Sequence, residues 1–108
     1  MPVSIMRRIP VVGGLAYEER VRRLPSSFEV SLAVEPGNRY FLEAIAVLVN
    51  GEKVGYVAPE VARRYFEPLS AHEGQATCLG RTAAPSDRST SGVEILLDFT
   101  RLPVRPLE

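Results

Sequence analysis

At 108 residues the chain has the length of one domain, and 45% apolar residues supply one core rather than two. Thirteen basic and thirteen acidic residues cancel, which excludes capture of nucleic acid or an anionic membrane by bulk charge, although every cation except Lys53 is arginine. A single cysteine, Cys78, excludes an internal disulfide and suits a reducing, cytoplasmic setting, and there is neither an apolar run of about 18 residues nor a secretory leader pattern after Arg7-Arg8.

Residues 1–8 read as an N-terminal arm, residues 9–102 as one domain, and residues 103–108 as a C-terminal tail whose Leu107-Glu108 pair has the form of a cloning scar. From Ile9 to Ala16 the β-branched start predicts a strand that ends at a tight bend on Gly13-Gly14. Glu18 to Leu24 is charged and predicts one or two helical turns before Pro25. Phe28 to Val34 gives the clearest strand signal, with Phe28, Val30, Leu32 and Val34 alternating onto one face. Glu35-Pro36-Gly37-Asn38 has turn composition. Glu43 to Val49 and Glu52 to Val57 form a hairpin around Asn50-Gly51, the strongest short-range turn signal there is.

At Pro59 the period changes from two to 3.6. Pro59 suits a first helical position, Val61, Ala62, Tyr65, Phe66 and Leu69 make an apolar stripe, and Pro68 is expected to end or distort the last turn. Gln75 to Thr82 and Val93 to Thr100 predict two more strands, separated by a polar, small-residue loop from Ala83 to Gly92 that reads as mobile. The order predicts a mainly β fold: a small OB- or SH3-like barrel of about six strands with one main helix over about 59–69, lying across one opening.

The chemistry-bearing residues are sparse. His72 and Cys78 stand alone as soft ligands, so no metal site is expected. A nucleophile, a base and an orienting group cannot be assembled from one histidine and one cysteine, and Gly13-Gly14 lacks the lysine and hydroxyl residue of a phosphate-cradling loop. No catalytic residue, no cofactor and no enzymatic activity are expected. What remains is a set of arginines and aromatics: Arg39, Tyr40 and Phe41 after the turn, Tyr56 on the return strand, and Arg63 and Arg64 on the polar side of the helix. A tyrosine ring gives any base a stacking face, and a neighbouring guanidinium handles phosphate.

The ordered set Glu35-Pro36-x-Asn38-x-Tyr40-x-x-x-Ala44-Ile45-x-Val47, then Gly51, Val54-Gly55-Tyr56-Val57, Pro59 and Ala62, resembles the HIRAN domain. The likeness spans roughly residues 11–69, with Val12-Gly13 at its start and Pro68-Leu69 at its end. The resemblance implies a small barrel that serves DNA processing or repair, whose best-understood member type captures the 3′ end of single-stranded DNA. Carried over by position, Tyr40 matches an aromatic that stacks on a terminal base, and Tyr56 a position lining the pocket. The chain has Arg39, Phe41 and Glu43 where the family pattern has proline, aspartate and asparagine. The expected function is a non-enzymatic nucleic-acid-binding module for single-stranded DNA or DNA ends, with Asn38, Arg39, Tyr40, Phe41, Tyr56 and Arg63 as binding residues. The alternative is a protein-interaction or adaptor domain that has lost 3′-end recognition and uses an apolar Tyr40-Phe41 tip.

Overall fold

Alternation organises the longest strand first. The structure, a computed structural model, describes residues 8–83 and 94–107. Strand β2 (Ser27–Pro36) points Val30 and Leu32 into the buried interior, while Glu29 and Ser31 stay outside. Its first seven residues pair with β5 (Gln75–Ala83) and its last six with β3 (Glu43–Val49). The two partnerships overlap only at Ser31, Leu32 and Ala33, so β2 turns the sheet from one neighbour to the next. With β1 (Ile9–Val12), β4 (Glu52–Val57) and β6 (Glu94–Asp98), the strands close in the order β1-β4-β3-β2-β5-β6, every pair antiparallel.

The predicted hairpin forms as the Asn-Gly pair dictates. Asn50 and Gly51 both take positive φ, 54° and 80°, the pair of left-handed conformations that a two-residue turn between twisted strands requires. The hairpin then carries something that alternation does not announce. Val47 pairs with Gly55 but Leu48 pairs with Lys53, so Val54 is an extra residue in β4, a β-bulge. Across that bulge the alternation resets. Val54 and Val57 both enter the core, and Lys53 and Tyr56, three residues apart, are both left partly exposed. Gly55 at the bulge is irreplaceable by contact, because a Cβ there would lie 2.7 Å from the Val12 carbonyl oxygen and 2.5 Å from Val11 Cγ1.

Helix α1 (Glu18–Arg22) follows the Gly13 bend and a short 3₁₀ turn, and contributes Val21 to the core. Helix α2 (Pro59–Ala71) starts on Pro59 as expected and buries Val61, Ala62, Tyr65 and Leu69 in the same cluster as the inward-facing strand residues. It therefore closes one opening of the barrel. Tyr65 meets Phe99 edge-on at 4.9 Å between ring centroids, sealing that end.

Two expectations are corrected. Glu35 and Pro36 belong to β2 rather than to the turn, which begins at Gly37 with φ 80°. Of the two outcomes expected at Pro68, ending the helix is the one overturned, because α2 runs on to Ala71. Proline gives up its own N–H bond to the preceding turn and its ring crowds the carbonyl four residues earlier, a cost this helix tolerates. Fully buried Leu69 holds the following turn in place, and the helix stops where Leu69 O accepts the N–H groups of His72 and Gly74, with Glu73 and Gly74 both at positive φ. The predicted 83–92 loop lies outside the described residues apart from Ala83, which ends β5. No helix among the described residues is long and apolar enough to cross a membrane.

Candidate functional site

The candidate site is built where β2 leaves the barrel wall. The Asn38 N–H bonds back to the Glu35 carbonyl at 3.2 Å, and the loop returns to β3 at the Pro36–Glu43 pair. Asn38 Oδ1 accepts the N–H groups of Tyr40 at 2.8 Å and Phe41 at 3.3 Å, the side-chain mimic of a turn that makes asparagine a loop residue. Its other end, Nδ2, donates to Glu35 Oε1 at 2.9 Å and to Tyr56 Oη at 3.4 Å. One side chain thus ties the loop to two strands.

The anchor is the polar cluster outside the barrel. Glu35 pairs across β3 with Ala44, and Tyr56 with Ala46, so only two small side chains separate the long ones and they meet above them. Tyr56 Oη donates to Glu35 Oε1 at 3.0 Å and accepts from Lys53 Nζ at 2.9 Å, while Lys53 also forms an ion pair with Glu35 Oε2. The Lys53 ammonium lies 4.9 Å from the Tyr56 ring centroid, and Phe41 packs edge-on against that ring at 5.6 Å. Burial alone would raise the Glu35 carboxyl, but hydrogen bonds from Lys53, Asn38 and Tyr56 outweigh it and hold the group below its ordinary value. The Lys53 ammonium is raised well above the ordinary lysine value, first by its hydrogen bond to Glu35 and then by that to Tyr56.

The loop braced in this way presents its remaining side chains to solvent. Tyr40 is 81% exposed and Leu42 79%. Arg39 is exposed and makes no hydrogen bond or ion pair among the described residues.

Of the six residues expected from the sequence, Asn38, Phe41 and Tyr56 come together in the brace, and Arg39 and Tyr40 stand on the open side of the same loop. Arg63 is exposed on α2 and shares no bond or ring contact with that loop. Tyr56 has its hydroxyl engaged by three partners and its ring bracketed by Phe41 and Lys53, so it supports the loop instead of offering a stacking face. Glu35, Lys53 and Leu42 were not legible as site residues. Two signals were available: Glu35 opens the HIRAN-like residue set, and Lys53 is the sole lysine.

Comparison with protein-family models, with curated proteins and with solved structures finds no match.

Elsewhere, a concavity of about 660 Å³ lies outside β2, β5 and β6, lined by Glu29, Thr77, Cys78, Leu79, Asp98, Thr100 and Arg101. Burial first, and the Asp98 carboxylate second, push the Cys78 thiol up to about 12, so at neutral pH it is a protonated, poor nucleophile. No group of three or more His, Cys, Asp or Glu side chains among the described residues is placed to hold a metal ion.

Proposed function

We propose that this chain is a non-enzymatic nucleic-acid-binding module of HIRAN type that recognises single-stranded DNA or DNA ends, with Tyr40 as its stacking platform and Arg39 as its phosphate contact. The observation that carries this reading is the state of Tyr40: an aromatic ring four-fifths exposed on a loop whose backbone is already fixed by Asn38. A platform held before the ligand arrives loses little conformational freedom on binding. Each stacked base contributes roughly 1–3 kcal/mol, and an arginine without a partner among the described residues is available to a phosphate. The zero net charge makes this a selective, modest binder rather than one that holds DNA by its field.

Fluorescence anisotropy with short single-stranded DNA, its 3′ end free or blocked, tests the proposal at low salt. Tyr40→Ala is expected to weaken binding roughly 5- to 150-fold, and the dependence on salt to be shallow, about −0.7 in log–log slope per phosphate contacted. Absence of binding at low salt, or a Tyr40→Ala chain that binds like the wild type, overturns it.

Leu42 favours a second reading. An aliphatic side chain 79% exposed beside Tyr40 has no part in base stacking, and the pair would suit a protein partner. Phe41 is not part of that tip, since it packs on Tyr56. A partner retained after nuclease treatment and lost in Leu42→Glu, with DNA binding absent, would select the adaptor function.

A further inference from the structure

Leu79 stands at the middle of an outer face of the barrel. Its register places it opposite Glu29 on β2 and Asp98 on β6, and all three turn away from the core. Two residues further along β5, Arg81 points the same way, while Arg101, just past β6, borders the other side of that row. An acidic row with an aliphatic centre is thus flanked by arginines. Asp98 accepts the Thr100 N–H at 2.9 Å and the Thr100 hydroxyl. Glu29, Arg81 and Arg101 make no hydrogen bond or ion pair among the described residues, although Glu29 and Arg81 are diagonal cross-strand neighbours within reach of each other. Leu79 is 61% exposed and forms a ridge between two hollows. It lines the concavity of about 660 Å³ and also a second of about 380 Å³ that reaches Arg8, Ser27, Arg81 and Leu96.

We propose that this face, the outside of β2, β5 and β6 around Leu79, is where the chain binds a second copy of itself. In an isologous contact residue i of one copy meets residue j of the other, and j meets i. A single patch that holds a knob, a hollow beside it and charges of both signs satisfies that condition. Leu79 of each copy enters the larger hollow of the other, and Glu29 of each meets Arg81 and Arg101 of the other. Charge selects this occupant. The acids set among the arginines repel a polyanion, whereas a second copy brings both signs, and zero net charge on the chain lets two copies approach. One aliphatic side chain and a few ion pairs make a small contact, so the association is weak and reversible. The face uses no residue of the Tyr40 loop and does not depend on the nucleic-acid reading.

Sedimentation velocity of the full chain over a dilution series, with NMR shifts of the Leu79 methyl groups followed in parallel, tests the proposal. The wild type is expected to dimerise as concentration rises, with the Leu79 shifts moving and those of Tyr40 staying fixed. Leu79→Asp, at an exposed site, is expected to weaken self-association at least roughly tenfold. Glu29→Arg alone and Arg81→Glu/Arg101→Glu alone are each expected to weaken it severalfold, and an equimolar mixture of the two to recover it, because opposite charges then face each other again. A wild-type chain that stays monomeric at about 1 mM overturns the proposal. So does a folded Leu79→Asp chain that associates like the wild type, or a mixture of the charge variants that associates no better than either alone. Leu79 shifts that respond to single-stranded DNA and not to protein concentration overturn it too, and give the face to nucleic acid. The dilution series and the mixing experiment decide the matter even where Leu79→Asp does not fold.

Discussion

Asn38 sets the loop conformation by itself. Its carboxamide accepts two loop N–H groups and donates to Glu35 and Tyr56, so one truncation releases four bonds. Asn38→Ala is expected to cost about 1–2 kcal/mol, because the freed N–H groups regain water at this half-exposed position. That corresponds to a fall in Tm of about 4–8 °C per kcal/mol, with exchange at the Tyr40 and Phe41 amides accelerating first. The pH response follows from its neighbours. Glu35 titrates lower when folded than its ordinary 4.5, so its contribution is fully present above that value and is lost as pH falls through the lowered one. Lys53 titrates higher when folded, so its contribution persists through neutrality and is lost only on the alkaline side of the ordinary lysine value. Loop protection is therefore expected to stay flat across neutral pH and drop in acid, and in Glu35→Gln to start lower with no acid-dependent fall. An acid drop that survives Glu35→Gln would place the titrating group elsewhere.

The elements divide into those set by neighbours in sequence and those set by contacts across space. The β3–β4 hairpin was legible because Asn50-Gly51 specifies its turn without help, and α2 because an apolar stripe follows an N-terminal proline. The brace was not legible for a physical reason. Strict alternation puts residues three apart on opposite faces, so Lys53 and Tyr56 meet only because of the bulge at Val54, whose one local sign is Gly55 inside the strand, a glycine that fixes neither the register nor which side chains meet. Pro68 fails in the other direction: its helix-stopping tendency is real, but burial of Leu69 overrides it. Asn38 and Tyr40 were readable as candidates, whereas Glu35, though part of the HIRAN-like set, was assigned to the turn and given no role. The bulge supplies its own prediction. Gly55→Ala forces a Cβ into the Val12 carbonyl and the Val11 side chain, and is expected to destabilise by about 2–3 kcal/mol. Lys53 and Tyr56 should part in the same variant, seen as loss of Tyr40 amide protection at temperatures where the core is intact.

For the whole molecule the decisive property is closure. Among the described residues every strand of the barrel has two neighbours and none offers a free edge for strand addition, so partners are met by loops and by the outer faces of strands and helices. That is where the exposed Tyr40, Leu42 and Leu79 are found. The seam of the barrel is β1, a four-residue strand that pairs with β4 and, through Ile9 and Leu97, with β6 near the other end of the chain. Joining residues so distant in sequence delays their contact until the intervening hairpins have organised, because loop-closure entropy is lost before the contact returns anything. Folding is then expected to resemble a hoop fastened last. Ile9→Ala should accelerate unfolding far more than it slows refolding in a denaturant chevron, whereas Val47→Ala in the central hairpin should act mainly on refolding. The clasp would thus determine how long a folded molecule lasts and have little say in how quickly one is made.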